Sequence, residues 1–431
     1  MRRRRSFGVV AGLMAIGMVV AGCSSSNNND ASSSKSGSPT NPAEINVFTI
    51  PSPSADALKK MAPLFTAKTG IKVNFSSTEY GTAHQKALLS IKSKQGAFDV
   101  VQFDNTFLPA FATAGALTPL DEYQKSDAYD INDFSPALQK YGTYGGKTYG
   151  LVLSTEPFIT WYRKSILAKA NVKPPTTWDE YQAVAKATNS GKTHGQIMGY
   201  GTGGGDWWWM QLVWSFGGQL YDKDFKPTVN TPEAVAATQY YKDLLPLAPS
   251  GALSFTGDDV TIQYASTQIA QMIQYSGYAS GVFDASKSPV AGDTGVAAVP
   301  AGKVNAVELA GWNIGIPSDA PSPDAGWQFL EFALGKDNAK KMLEFGAAAI
   351  GRKSVTTDPV LLATYPYLSL LSLDTPGLVV YPYPQLVTWP EFDKACSDGL
   401  ADILTGKVSV QDGLNALNDK LIPILAKEPK V

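Results

Sequence analysis

A chain of 431 residues with 36 lysines and arginines against 38 acidic residues is nearly neutral, and 44% of it is hydrophobic. That balance argues against a nucleic-acid binder and against a polybasic membrane-surface protein. Its two histidines, His84 and His194, are far apart, and no Cys/His cluster has metal-ligand spacing, so no metal and no cofactor are expected.

Residues 2–5 are all arginine, and residues 7–21, FGVVAGLMAIGMVVA, form an apolar run of 15 residues. The run is short for a bilayer span and right for the apolar part of a signal peptide. It ends in Val20-Ala21-Gly22-Cys23, which resembles the lipobox of bacterial lipoproteins. Small residues fit a narrow protease cleft, and the Cys23 thiol is the nucleophile that can carry a lipid thioether. Arg4-Arg5-Ser6-Phe7 resembles a twin-arginine motif, which leaves the export route open. Removal of residues 1–22 takes away four arginines and no acid, which leaves a net charge of −6 and only two arginines, Arg163 and Arg352. Arginine forks are the favoured tools for planar carboxylate and phosphate groups. A neutral, hydroxyl-rich ligand therefore fits better than a strongly anionic one. Cys396, left without a partner thiol, reads as a small buried hydrophobe.

Residues 23–43 are rich in serine and asparagine and read as a flexible tether. Residues 24–42 as a random coil reach roughly 24 Å. The body from about residue 44 is too long for one typical core and suggests two domains. It opens with the alternating strand EINVFTI, the helix ADALKKMAPLFTAKTG, the strand IKVNF, a helix around HQKALLSIKSKQG and the strand FDVVQF. Such an alternation implies right-handed crossovers and a parallel sheet. Ligands of such sheets sit beyond the carboxyl ends of the strands, so the loops at 51–54, 76–81 and 104–106 should share one rim. Ser54 and Glu79 become candidates on that ground.

Further along, PPTTWDEYQAVAKAT is a predicted helix with a capping box, Thr177 and Glu180, and with Trp178 in packing. Trp161 and Tyr162 continue an alternating strand and read as core. GGGDWWWMQ, residues 203–211, puts three tryptophans on a helix that Asp206 can cap, with glycines that let backbone approach a ligand. Successive residues are rotated by about 100°. Trp207 then aligns with Met210 and Trp214, Trp209 with Val213 and Phe216, and Trp208 with the polar Gln211 and Ser215. A single buried stripe holds two of the rings, so Trp208 is the one expected to enter a cleft. Amphipathic helices follow at SPDAGWQFLEFAL, NAKKMLEFG, EFDKACSDGLADIL and SVQDGLNALNDKLIPIL, and there is no internal repeat.

In order along the chain, the lipobox, AFDVVQFDNTFLPAFATAGALTPLDEY, YGGKTYGLVLSTEPFITWYRKSILAKANVKPPTTWDEY, WSFGGQLYD, GWNIGIPSDAPSPDAGWQFLEFAL and GRKSVTTDP resemble the family 1 extracellular solute-binding proteins of carbohydrate ABC importers, of the maltose/trehalose-binding type. The resemblance implies an α/β, two-lobed periplasmic-binding-protein fold of type II, with a hinge of crossing segments near 153–155, 303–308 and 352–356. The first lobe would take 44–153 plus 308–354, and the second 154–307 plus 355–431. It further implies a monomeric, non-enzymatic carrier, lipid-anchored to the cell membrane on its extracytoplasmic face, that hands a sugar or polyol to a permease and its ATPase.

Residue by residue, Asp104 matches the acid after the DVV strand that takes sugar hydroxyls in relatives, with Asn105 beside it. Glu156 sits in the first crossing. QMIQYSGYA resembles the segment where relatives place a stacking aromatic, which points to Tyr275 and Tyr278. Gly311 and Trp312 match a glycine-tryptophan pair that lines the site. Arg352 and Trp389 fall in loops that often contribute.

The chemistry suits a sugar, whose C–H faces want aromatic rings and whose hydroxyl rim wants carboxylates and amides. Burying about 100 Å² against one ring is worth roughly 2.5 kcal/mol, against about 8 kcal/mol for micromolar binding, so several rings are needed. Competing readings are a glycerophosphodiester, a peptide or chelated iron as the ligand, or a secreted glycoside hydrolase or lyase. The last would use two carboxylates, Asp104 and Glu156, at roughly 5–10 Å.

Overall fold

The computed structural model describes residues 42–429; the leader, Cys23 and most of the tether lie outside them. The strands are β1 (Glu44–Thr49), β2 (Lys72–Ser77), β3 (Val100–Asp104), β4 (Thr143–Tyr144), β5 (Lys147–Thr148), β6 (Leu151–Val152), β7 (Glu156–Arg163), β8 (Gln271–Tyr275), β9 (Thr294–Ala297), β10 (Ala306–Ala310), β11 (Trp312–Gly315) and β12 (Val379–Pro382). They form two sheets, one in each lobe, and the small hairpin β4–β5.

The first sheet runs β2-β1-β3-β11-β6. Its first three strands are parallel and connected by the helices Pro53–Thr69 and Tyr80–Lys92, as the alternating pattern predicts. Ser52 caps the first helix, its Oγ accepting from the Ala55 N–H, and Gln102 of β3 donates to the same Oγ. One face of the sheet packs Ile45 and Val47 against Leu58, Met61 and Phe65. The other packs Phe48, Val101 and Phe103 against Ala83, Ala87 and Phe111. The two-residue side-chain period of the strands thus buries both faces.

The second sheet runs β12-β10-β7-β8, with β9 also pairing with β7. The helix Trp178–Thr188 begins where expected: Thr177 accepts from the Glu180 N–H. The Glu180 carboxylate turns instead to the N–H and hydroxyl of Thr176, so the cap is completed one residue earlier than a capping box would have it. The long C-terminal helices Trp389–Leu404 and Val410–Leu425 pack on each other and close this lobe.

The sheets are joined by crossing segments. The first crossing is residues 153–155, between β6 and β7. The second is Gly311 alone, between β10, which belongs wholly to the second sheet, and β11, which belongs to the first. The crossing expected at 303–308 is thereby displaced: β10 alternates too little for its end to be visible in sequence, and backbone pairing with β7 continues to Ala310. A third passage follows Arg352, whose guanidinium is fixed in the first lobe, and leads to Pro366–Leu371 against β7 and β9.

Hydrogen bonds stitch these segments together. Leu153 N–H donates to the Trp312 carbonyl (2.8 Å) and Trp312 N–H to Ser154 Oγ (3.1 Å). Thr155 N–H donates to the Ala349 carbonyl (2.8 Å) and Thr155 Oγ1 to that of Ile350 (2.7 Å). Gly311 has φ +141°, and a Cβ there would lie 2.3 Å from the Ser154 carbonyl oxygen. Only glycine suits such a position. Gly311→Ala is expected to lower the urea midpoint by the equivalent of about 1–3 kcal/mol from backbone strain alone.

Candidate functional site

Between the lobes lies a cavity of about 550 Å³. The first lobe supplies Pro51, Ser52, Pro53, Tyr80, Asp104 and Trp312; the second supplies Glu156, Gly203, Trp207, Asp258, Tyr275, Tyr278 and Tyr383. Gly311 and Ala310 run along its floor. The carboxyl ends of β1, β2 and β3 do meet at one rim, since Pro51–Pro53, Tyr80 and Asp104 all line it.

Backbone register places the central groups. Asp104 pairs with Trp312 and Glu156 with Ala310, so the two acids flank Gly311, one on each sheet. Asp104 Oδ1 accepts from the N–H and hydroxyl of Thr106 (both 3.0 Å), and Oδ2 accepts from the Tyr80 hydroxyl (3.1 Å). It therefore caps its own turn and faces the cavity at once. Burial pushes its pKa up. Its N–H donates to Nε2 of His84, a base that burial drives down to about 3 and that stacks on Phe107. Glu156 Oε1 accepts from Ser154 Oγ (2.5 Å). Burial, with the Asp104 charge adding, raises Glu156 from 4.5 to about 7. A Cβ at Gly277 would lie 2.2 Å from Glu156 Oε2, so a side chain there would displace the Glu156 carboxylate.

Aromatic rings make the walls. Tyr80 meets Trp312 edge-on at 5.9 Å. Trp207 meets Tyr383 at 5.8 Å and donates from Nε1 to Asp393 Oδ1 (3.0 Å). Tyr275 stacks face to face on Phe158 at 3.9 Å, and its hydroxyl donates to Glu308 Oε1 (2.5 Å) beside that of Tyr383 (2.6 Å). Tyr278 donates to Asp258 Oδ1 (2.8 Å). Asp206 caps no helix: Gly204 holds the cap position, and Asp206 is buried in the first turn, where burial and the Asp393 charge raise its pKa well above the ordinary range.

Of the residues singled out from sequence, Asp104, Glu156, Tyr275, Tyr278, Gly311 and Trp312 line this cavity, and six others do not. Trp208 is 1% exposed, donates to the Ile273 carbonyl (2.6 Å) and packs on Phe158. Its neighbour Trp207 takes the cleft position. The helix Gly205–Ser215 is central rather than peripheral, with every residue but Trp207 buried. Its polar sector points inward: Gln211 bonds Ser215, the Ala306 carbonyl and the Glu308 N–H.

Arg352 is fully buried, donating to the carbonyls of Leu334, Asp130 and Tyr129 and lying over Phe134 at 4.3 Å. Trp389 is buried behind Tyr383 at 5.6 Å. Ser54 lies inside the first helix with its side chain turned into the lobe, and Ser52 and Pro53 take the rim. Glu79 is an exposed N-cap residue, and Tyr80, one position on, reaches the cavity. Asn105 is buried, its side-chain amide without a hydrogen-bond partner among the described residues, and its carbonyl accepts from Gln385 Nε2 at 3.5 Å. Tyr80 and Trp207 stood in stretches already marked in the sequence, whereas Tyr383 and Asp258 carried no signal.

The sequence pattern of bacterial extracellular solute-binding proteins matches residues 51–340. A binding protein of Brucella abortus is 26% identical over 277 residues, 62% of this chain and 66% of that protein. The mannitol-binding protein of Pseudomonas aeruginosa is 26% identical over 363 residues, 78% of this chain and 83% of its own. In three dimensions, an ABC transporter solute-binding protein from Agrobacterium radiobacter, solved in complex with ribitol, superposes with a TM-score of 0.79 at 25% identity, covering 90% of this chain and all of the other.

Trp208→Ala is expected to cost about 3–5 kcal/mol in urea unfolding, and Trp207→Ala distinctly less. A second expectation concerns pH. The raised value of Glu156 means that the folded state binds more proton between pH 4.5 and about 7. Stability therefore falls as pH rises through that window, by up to about 3 kcal/mol at 1.36 kcal/mol per unit. Glu156→Gln should make the urea midpoint fall less between pH 5 and pH 8 than it does in the parent protein.

Proposed function

Since the chain belongs to the bacterial extracellular solute-binding proteins, we propose that it captures a sugar, oligosaccharide or polyol between its lobes and delivers it to the permease of an ABC importer. The observation that carries this reading is the pairing, in one interlobe cavity, of aromatic walls with carboxylates and, among the described residues, no lysine or arginine. Tyr80, Trp207, Tyr278 and Trp312 offer faces for C–H groups; Asp104 and Glu156 offer acceptors for hydroxyls. The cavity volume is in the range of small-ligand sites, and the ribitol and mannitol of the relatives are ligands of this chemistry. A glycerophosphodiester fits less well, because among the described residues no cation lines the cavity to meet its phosphate.

In this reading the protein is a monomeric carrier and not an enzyme. It alternates between open and closed lobes, and ligand binds the closed form more tightly. Cys23 carries the lipid that holds it at the extracytoplasmic face of the cell membrane, and residues 24–42 let the body reach the permease.

Thermal unfolding against ribitol, D-mannitol, maltose and related neutral compounds tests the proposal. A ligand at about 100 times its dissociation constant should add roughly 2.7 kcal/mol, seen as a raised Tm. Trp312→Ala should weaken that ligand about tenfold or more. No response to any sugar or polyol would overturn the reading.

A further inference from the structure

Among the described residues, no cation meets the acids of the cavity. Asp104 is met by Thr106 and Tyr80 alone, and Glu156 by Ser154 alone; both sets are neutral donors. Behind the rings, Glu308 is fully buried and its Oε2 finds no hydrogen-bond partner among the described residues. Neither described arginine is free to help: Arg163 pairs with Asp293 (2.7 Å), and Arg352 is locked among first-lobe carbonyls and Asp133. His84, behind Asp104, is held neutral by burial.

Like charges repel, and the Asp104 charge raises the affinity of Glu156 for a proton. Glu156 stands at about 7 partly for this reason. A cation between them would remove the conflict. An ammonium can be held by two carboxylates, whereas among the described residues no three acidic, histidine or cysteine side chains converge to hold a metal ion. The π-faces of Tyr80, Trp207 and Trp312 favour the same charge.

We propose that the cleft selects a basic amino sugar or amino polyol and seats its ammonium between Asp104 and Glu156. This rests on the sugar-or-polyol reading and narrows it. Because Asp104 ends a strand of the first sheet and Glu156 begins a strand of the second, the ammonium also neutralises a repulsion between the lobes and so favours their closure. A ligand of the same skeleton with a carboxylate meets only acids and is rejected.

The test is calorimetric titration of the purified protein at pH 7 with ligands matched in skeleton: D-glucitol, 1-amino-1-deoxy-D-glucitol and D-gluconate, then D-glucose with D-glucosamine. The amine is expected to bind at least tenfold more tightly than its neutral partner, and the carboxylate at least tenfold more weakly. In Glu156→Gln the ratio of amine to neutral affinity should shrink to less than threefold; the ladder in the unsubstituted protein decides the matter if that variant fails to fold. Neutral members that bind as tightly as the amines, or more tightly, overturn this inference and leave the proposed function standing. Silence from every member, of these pairs and of the neutral panel above, overturns both.

Discussion

The structure turns on the place where Gly311 passes under the Ser154 carbonyl. Two strands meet end to end there, β10 in one sheet and β11 in the other, with one residue between them. That residue has a backbone conformation and a contact distance that exclude a side chain. Bonds from Leu153, Thr155 and Trp312 tie the crossing segments into one small hinge. Because Trp312 pairs with Asp104 and Ala310 with Glu156, the backbone that joins the lobes also sets the position of the groups that face the cavity.

Electrostatics follow from that placement. The acids arrive at the seam through strand register; burial raises both pKa values, with the Asp393 charge adding at Asp104 and the Asp104 charge adding at Glu156. The described arginines were used for other work: Arg352 organises carbonyls at the end of the first lobe, and Arg163 holds Asp293 at the edge of the second sheet. The cavity is left acidic and aromatic, and the proposed preference for hydroxyl-rich ligands over anions rests on that lining.

Much of the fold was legible in local patterns. The alternating strands, the serine and threonine caps and the apolar helix stripes are short-range signals, and the parallel strands of the first sheet follow from them by connection rules. Within the site, Asp104, Tyr275 and Trp312 stand in recognisable segments, and the rim loops follow from sheet topology. Three of the misplacements share one cause. Trp208, Ser54 and Arg352 were placed by the assumption that a polar sector or a loop faces outward. In the interior of a two-lobed protein polar groups also face inward, as Gln211 does when it serves the carbonyl of Ala306 and the N–H of Glu308.

What the sequence determined by itself is the set of elements and the chemical palette: two α/β halves, few arginines, many aromatic rings, and acids at strand ends. What only the tertiary structure decided is which ring and which acid face the gap, because a one-residue step along a helix turns a side chain by about 100°. Trp207 and Trp208 are chemically identical and adjacent. One lines the cavity and the other is sealed against Phe158, a difference that arises from packing between elements far apart in the chain.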